Sequence, residues 1–340
     1  IYLLGKIIPK SKNMWIFGTW YGNCYSDNTS YLFEYVNKEK KDVTAIWLSN
    51  KSEIISNLRS KGMKAFHNNS PLGFYFGCRA AVTFVNCGYS DVNLYAVGKS
   101  LKVQLWHGIP LKKIKYDDKI NENKHHNPFY KGIKSALLFI FPFLNDSFDL
   151  IISSSEEVTQ RMASAFRVEP DKIIETGYPR MDKILSPKED QLNFINIKQD
   201  WSKFAKIVLY APTHRKEGHG GVNLFDSMDF SKFNEFLSNN DAAMFIKMHY
   251  HHELINNYLV NKSLSNIIYL AAGDVPDINI FLPFVDVLIS DYSGVLLDYL
   301  ILDKPIIPTS FDLEEYTNSD RELYEDYDKT VMGINCNNWS

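Results

Sequence analysis

The chain has 340 residues, which is more than one hydrophobic core usually holds, so we expect two domains. Its 37 basic and 40 acidic side chains leave a net charge of −3, which excludes the broadly basic surface of a typical nucleic-acid-binding protein, and we expect no nucleic acid partner. No apolar run reaches the roughly 20 residues of a membrane-spanning helix.

Short apolar runs alternate with helical patterns in the first half of the chain. The pattern predicts strands over 13–20, 43–49, 80–86 and 102–108, and helices over 26–39 and 52–62. This β-α-β rhythm favours a parallel sheet with helices on both faces.

The same rhythm continues in the second half. We predict a strand at 149–155, a helix at 156–166 and a strand at 172–180; a second sheet then takes strands at 205–215, 242–249, 285–294 and 304–310, with a helix at 294–303. The polar region 184–204 is the best candidate for the junction between domains. We therefore expect an N-terminal domain at 1–185 and a C-terminal domain at 186–340, both Rossmann-like.

One apolar segment breaks this pattern. Residues 131–144, "KGIKSALLFIFPFL", carry a nine-residue apolar run preceded by Lys131 and Lys134. The run is too short to cross a bilayer. It is typical either of a buried helix or of a segment lying at a membrane surface, so the region 120–147 is a candidate membrane contact.

Four cysteines, Cys24, Cys78, Cys87 and Cys336, show no C-x-x-C spacing. We interpret them as buried thiols in a reducing compartment.

Polar side chains follow four of the predicted strands at the points where those strands end. His107 follows "KVQLW", Thr213 and Arg215 follow "KIVLYAP", His249 follows "MFIKM", and Asp291 follows "VDVLIS". Ligands collect outside the carboxyl ends of the strands in open parallel sheets. The four groups together predict a shared cleft.

The Asp291 group also precedes a predicted helix. Free N–H groups at a helix start bind phosphate, and Ser293 and Gly294 would allow an anion to approach closely. The alternative is that Asp291 or Ser293 simply caps the helix. The planar guanidinium group of Arg215 could form two hydrogen bonds to a diphosphate, or it could form a surface ion pair.

Two histidines at strand ends are candidates for chemistry. His107 is followed by Gly108 and Pro110, a tight exit that would present its ring, and an imidazole can act as a general base at neutral pH. A structural role is the alternative. His249 lies near other histidines but near no carboxylate pair with ligand spacing, so we expect no metal.

Six motifs in order make the chain similar to the CDP-glycerol glycerophosphotransferase family, enzymes that prime or polymerise wall teichoic acid and have relatives in capsule synthesis. These motifs are "WHGIPLKKI" (106–114), "GYPRMDKIL" (177–185), "YAPTHR" (210–215), "FIKMHYH" (245–251), "DVLISDYSGVLLDYLILDKPII" (286–307) and "FDLEEY" (311–316). The resemblance implies a GT-B architecture, with two Rossmann-like domains facing across a cleft. It also implies transfer of a polyol phosphate from a CDP-activated donor to a hydroxyl, with release of CMP and no cofactor.

The resemblance assigns roles to named positions. The family's two important histidines match His107 and His249. The remaining expected contacts are, for the donor, Thr213, Arg215, Asp291, Ser293, Gly294 and Asp298, and, for the acceptor, Lys112, Lys113, Lys115 and Arg180. The three lysines would attract an anionic phosphopolyol or lipid-linked glycan acceptor and keep His107 neutral.

The chain departs from the family pattern at His214, Ile109, Tyr250 and Gly294, where the family usually has Trp, Thr, Pro and Ser. In the family, the positions of Tyr250 and Gly294 lie beside the donor's phosphates or polyol, so CDP-ribitol stays open as the donor beside CDP-glycerol. The resemblance implies a cytoplasmic enzyme peripheral to the inner face of the bacterial membrane. The alternatives are a GT-B glycosyltransferase that uses a nucleotide sugar and a non-catalytic membrane-associated assembly module.

Overall fold

The computed structural model describes residues 5, 7–122, 147–187, 201–213, 225, 228–248, 264–271, 274–331, 336 and 338–339. Within them, contacts group Ile1–His107 with Glu122–Asp182 as a first unit, and Gly108–Asn121 with Lys183–Ser340 as a second. The candidate membrane segment 131–144 falls outside the described residues.

The first unit contains a seven-stranded sheet in which all neighbouring strands are parallel. Its strands are β1 (Ser11–Phe17), β2 (Thr44–Ser49), β3 (Lys64–His67), β4 (Ala80–Val85), β5 (Leu101–Gln104), β6 (Leu150–Ser153) and β7 (Ile173–Glu175). Their spatial order is β3-β2-β1-β4-β5-β6-β7. This is the doubly wound order, which reverses between β1 and β4.

Helices connect these strands. They are α1 (Asp27–Glu39), α2 (Ser52–Ser60), α3 (Pro71–Arg79), α4 (Lys119–Glu122, counted with the second unit up to Asn121), α5 (Glu156–Phe166) and α6 (Pro179–Leu185). The core beneath α1 is aromatic: the ring of Phe17 in β1 stacks on Phe84 of β4 at 4.8 Å and meets Phe33 of α1 edge-on at 5.3 Å. Both strands are thereby fixed at the place where the order reverses.

The second unit repeats the arrangement with five strands. They are β8 (Lys206–Tyr210), β9 (Ala242–Ile246), β10 (Ile267–Tyr269), β11 (Val287–Ser290) and β12 (Ile306–Pro308), in the order β10-β9-β8-β11-β12, all parallel. The described helices are α7 (Phe230–Asn239), α8 (Val295–Tyr299), α9 (Leu313–Ser319) and α10 (Tyr327–Thr330). Two parallel sheets with helices confirm the predicted α/β class and the two Rossmann-like units.

Segment 108–121 departs from the sequence-based domain ranges. We placed it in the N-terminal domain, but its backbone pairs with residues 322–324 of the second unit. Lys113 N–H donates to Glu322 O at 2.8 Å, Tyr324 N–H donates to Leu111 O at 3.1 Å, and Lys112 forms an antiparallel bridge with Leu323. The hydrogen bonds of the segment therefore assign it to the second unit.

No helix among the described residues is both long and apolar enough to span a bilayer.

Candidate active site

His107 lies three residues beyond the end of β5, and the chain there is turned sharply out of the strand. Trp106 has a φ of +53°, a left-handed conformation that is uncommon for a bulky residue. Its N–H donates to the side chain of Gln104 at 3.0 Å. The amide of Asn28 donates to the carbonyls of Leu105 (3.2 Å) and Trp106 (2.9 Å). The strand therefore ends at Gln104, earlier than the predicted range 102–108, and the residues after it form a turn that carries His107.

The imidazole of His107 contacts two indole rings. Its centroid is 5.1 Å from Trp20, which follows β1, and 4.1 Å from Trp106. Nδ1 lies 3.3 Å from the carbonyl oxygen of Asn86 and 4.0 Å from Sγ of Cys87. A carbonyl oxygen only accepts, so this contact is a hydrogen bond when Nδ1 carries the proton. That tautomer leaves Nε2 with a lone pair, as a general base requires.

Asp91, which the sequence analysis did not single out, joins the two loops around His107. It is fully buried, and its Oδ2 accepts N–H groups of Asn86 (2.8 Å), Cys87 (2.7 Å) and Gly88 (3.4 Å). Its Oδ1 accepts the N–H of Tyr21 at 2.7 Å. Burial raises the pKa of Asp91, and these four donors partly offset the effect. One carboxylate thus fixes the carbonyl that orients His107 and the turn that carries Trp20.

Arg180 has a different place from the one expected. It was predicted to bind the acceptor, but its side chain is only 1% exposed and its Nη1 lies 3.3 Å from Oδ1 of Asp27. Its backbone N–H donates to Oδ1 of Asn28 at 3.0 Å, and Asn28 holds the Trp106 turn. Because the guanidinium is closed to solvent, Arg180 supports the His107 loop from behind; direct acceptor contact needs an exposed group.

Three polar side-chain atoms near the ends of β1, β4 and β5 are buried and have no hydrogen-bond partner among the described residues: Thr19 Oγ1, Asn86 Nδ2 and Gln104 Nε2. Buried polar atoms are normally paired with protein or ordered water. These three atoms could therefore bind an ordered internal water molecule.

The second unit has a cavity of about 580 Å³ at the carboxyl ends of β8 and β9 and beside the turn that follows β11. Its lining comes from segment 108–121, both strand ends, the 275–278 loop and the 316–321 region. The lining residues are Lys112, Ala211, Pro212, Thr213, Lys247, Met248, Val275, Pro276, Ile278, Ser293, Val295, Tyr316, Asp320 and Arg321. A cavity of this size accommodates a nucleotide-sized ligand.

Only some of the predicted donor residues line this cavity. Thr213 and Ser293 do, whereas Asp291 is 2% exposed and supports the wall from behind: its Oδ1 accepts the N–H of Thr213 at 2.7 Å. Gly294 is the N-cap residue directly before α8, where an added Cβ would lie 3.3 Å from the carbonyl oxygen of Ile109, and Asp298 is buried within α8. Since α8 has five residues, its dipole contributes less to anion binding than the predicted ten-residue helix would.

The three lysines after His107 have different surroundings. Lys112 lines the cavity of the second unit, and Lys113 forms an ion pair with Glu322 at 2.9 Å. Lys115 is exposed and begins a short helical turn. Their expected common role around His107 stays a prediction, and the structure associates Lys112 with the cavity where donor residues lie.

Lys247 and Arg321 are cavity residues that the sequence analysis missed. Lys247 follows β9, its Nζ donates to Ala271 O at 3.1 Å, and burial lowers its pKa, an effect that Asp274 partly offsets. Arg321 has Nε 3.3 Å from Oδ2 of Asp118. Lys247 stands two positions before His249 at the same strand end, so the strand-end argument could have found it.

His249 and Arg215 lie outside the described residues, so their predicted roles rest on the sequence. Among the residues that the structure describes, no group of three or more His, Cys, Asp or Glu side chains could hold a metal ion. The expected independence of metals and cofactors stays a prediction.

Solved structures resemble this fold over nearly its whole length. Structures of the wall teichoic acid polymerase TagF cover 97% of the chain and 78% of the matched chain, with a TM-score of 0.73 and 23–24% identity. A UDP-N-acetylglucosamine 2-epimerase from Listeria monocytogenes matches with a TM-score of 0.50 and 14% identity, covering 88% of this chain and 79% of its own. The fold is therefore that of the two-Rossmann-unit, GT-B-like proteins.

The family model described as CDP-glycerol:poly(glycerophosphate) glycerophosphotransferase matches residues 1–339, so the chain belongs to this family of transferases. A teichoic acid glycerol-phosphate transferase from Staphylococcus aureus is 28% identical over 98% of this chain and 83% of its own length. A teichoic acid poly(glycerol phosphate) polymerase from Staphylococcus epidermidis is 28% identical over 94% of the chain, which spans 43% of that protein. The ribitol-phosphate polymerase TarL of Staphylococcus aureus is 28% identical over 68% of the chain and 39% of its own length. Family membership confirms the resemblance drawn from the motifs.

Proposed function

We propose that the protein transfers glycerol phosphate from CDP-glycerol to the terminal hydroxyl of an anionic phosphopolyol or lipid-linked glycan acceptor and releases CMP. The observation that carries this proposal is the imidazole of His107, which is oriented by the Asn86 carbonyl so that Nε2 is available as a base. Membership of the glycerophosphotransferase family supports the reaction class.

In the proposed reaction, Nε2 of His107 accepts the proton of the acceptor hydroxyl. The hydroxyl oxygen forms a bond to the β-phosphorus of the donor, which bears the polyol. The bond from that phosphorus to the bridging oxygen breaks, and CMP leaves with this oxygen. Such transfers depend mainly on positioning and electrostatic stabilisation.

The donor would bind in the cavity of the second unit. Thr213 and Ser293 lie in its wall, the hydroxyl of Ser293 can donate a hydrogen bond to a phosphate oxygen, and Lys112 and Lys247 contribute positive charge beside them. Family resemblance adds Arg215 and His249. The reaction requires the donor phosphorus to reach the acceptor hydroxyl at His107 during turnover.

The test is the variant His107→Ala, assayed for CMP release and for product mass with CDP-glycerol and CDP-ribitol and a short phosphopolyol acceptor. Loss of a general base should lower turnover at least about a hundredfold while donor binding persists. His67→Ala, a histidine at the end of β3, is the matched control and should behave like the parent. Normal turnover by His107→Ala, or release of CDP in place of CMP, would contradict the proposal.

The donor could carry glycerol or ribitol, because relatives of both kinds match the chain. The same two-donor assay decides between them through the mass added per turnover. We propose glycerol, because the family description names glycerophosphate and the relative of comparable length is a glycerol-phosphate transferase.

We also propose that the enzyme works at the inner face of the cytoplasmic membrane, where a lipid-linked acceptor would be held. Helix α3 supports this: it exposes Leu72 and Tyr75 and ends at the basic Arg79. Flotation with vesicles containing anionic lipid, for the parent and for a deletion of 131–144, tests the association separately from catalysis. Failure of the parent protein to float would refute it.

A further inference from the structure

The turn directly after β1 holds two aromatic residues in a conformation that aromatic residues rarely adopt. Trp20 has a φ of +45° and Tyr21 a φ of +58°, and Gly22 follows with a φ of +74°. Only glycine adopts this left-handed region without steric cost. Two bulky residues in sequence there are strained, and strain of this kind collects at functional sites.

Several hydrogen bonds from neighbouring loops maintain the turn. Asp91 accepts the N–H of Tyr21 at 2.7 Å, and Asn50 Nδ2 donates to the carbonyl of Tyr21 at 2.9 Å. The carbonyl of Gly22 accepts the N–H of Asn50 at 2.6 Å and the hydroxyl of Ser49 at 2.8 Å. Residues after β2 and β4 thus fix one turn that follows β1.

The turn displays its rings beside the base. The indole of Trp20 is half-buried and lies 5.1 Å from the imidazole of His107, and the ring of Tyr21 is 56% exposed. The other indole beside the imidazole, that of Trp106, is buried. Of the two indoles that contact His107, the half-buried indole of Trp20 is therefore the one that a substrate can reach.

The chemistry of this wall identifies its ligand class. The contacts of His107 include two indole rings, the Asn86 carbonyl and the Cys87 thiol, and the nearby Arg180 is buried and paired with Asp27. Aromatic rings suit the apolar faces of a carbon skeleton that carries hydroxyl groups.

We propose that the Trp20–Tyr21 turn is an acceptor subsite that binds the uncharged, polyhydroxylated end of the acceptor and places its hydroxyl at His107. The proposal rests on the proposed function and extends it to acceptor recognition. The shared chemistry has two sources, a sugar ring and an open polyol chain.

The test measures KM separately for donor and acceptor in Trp20→Ala and Tyr21→Ala. The acceptor KM should rise at least about tenfold in Trp20→Ala, equivalent to about 1.4 kcal/mol of binding, and more modestly in the exposed Tyr21→Ala. The donor KM should change less than about twofold, because the donor residues lie in the second unit. Tyr35→Ala, which removes a similarly exposed tyrosine from α1, is the matched control and should change neither KM.

Two acceptors distinguish the sources of the ligand, one ending in a sugar and one ending in glycerol phosphate. A rise in KM for either acceptor supports the subsite and identifies which end it holds. Trp20→Phe should keep most of the affinity and Trp20→Leu should lose it, which separates a ring contact from general packing. If acceptor KM is unchanged in both Trp20→Ala and Tyr21→Ala, the subsite is refuted; if the parent protein releases no CMP, the proposed function fails instead.

Discussion

Lys10, just before β1, should destabilise the protein, and its replacement by Met should stabilise it. Its Nζ is buried without a hydrogen-bond partner among the described residues, and burial is the main cause that lowers its pKa from 10.5 to about 8. Lys102 and Lys99 lower the pKa further, and Cys78 acts in the opposite direction. The difference between 10.5 and about 8 corresponds to roughly 3 kcal/mol. Because the side chain is only half-buried, solvent screening reduces the expected gain for Lys10→Met to about 1–2 kcal/mol at pH 7.

The stability gain from Lys10→Met should depend on pH. The pKa of Lys10 is lower in the folded than in the unfolded chain, so folding opposes the charged form. The penalty is complete below pH 8, shrinks as the folded protein loses the proton, and is absent above pH 10.5. The gain from Lys10→Met in urea unfolding should therefore be large at pH 7 and small at pH 10.

The matched control is Lys12→Met, which removes an exposed lysine from β1 and should change stability by less than about 0.5 kcal/mol. A loss of stability in Lys10→Met, or a gain that is equal at pH 7 and pH 10, would contradict the prediction. It would show that burial of the Lys10 ammonium group does not lower the free energy of unfolding.

Three further substitutions follow from contacts in the two units. Arg180→Met should cost about 3–5 kcal/mol in urea unfolding, since it leaves Asp27 charged and buried; a loss below about 1 kcal/mol would contradict the buried pair. Lys113→Met should change the melting temperature little, because its pair with Glu322 is partly exposed and worth under about 1 kcal/mol; a large drop would show that the ion pair, and not the backbone bridge, holds the segment. Gly18→Ala should lower stability by about 1–3 kcal/mol, because its Cβ would lie 2.5 Å from a carbonyl oxygen; an unchanged melting curve would show that the loop can move away.

The sequence predicted the strands whose apolar runs are long, and it missed shorter or less regular elements. Strand β3 has four residues, "KAFH", too few for a periodic signal. Helix α3, "PLGFYFGCR", has two glycines and aromatic residues on several sides, so it lacks the spacing of an amphipathic helix, although Ser70 caps it by accepting the N–H of Gly73. Strand order is not contained in any local pattern.

The position of His107 at a strand end could be predicted from the sequence, whereas the contacts that support its loop could not. The apolar run before His107 predicts that this residue follows a strand, and it does follow β5. The end of a strand can be predicted because it depends on neighbouring residues only. The role of Asp91 could not be predicted, because a single Asp in a loop forms no sequence motif and its partner Tyr21 lies 70 positions away. The burial of Arg180 was hidden for the same reason: its partner Asp27 is 153 positions away, and sequence alone does not show which cations are paired.

The backbone passes between the two units directly after His107, returns near residue 122 and passes again near residue 183. A truncated protein that begins at residue 183 therefore lacks an internal strand-like peptide, residues 108–121. The backbone groups at Glu322 and Tyr324 that this peptide satisfies would be left open to solvent or to other chains. Expression of the C-terminal half alone should yield an aggregation-prone fragment, and a circular permutation or a fusion that supplies 108–121 is the sound way to isolate it.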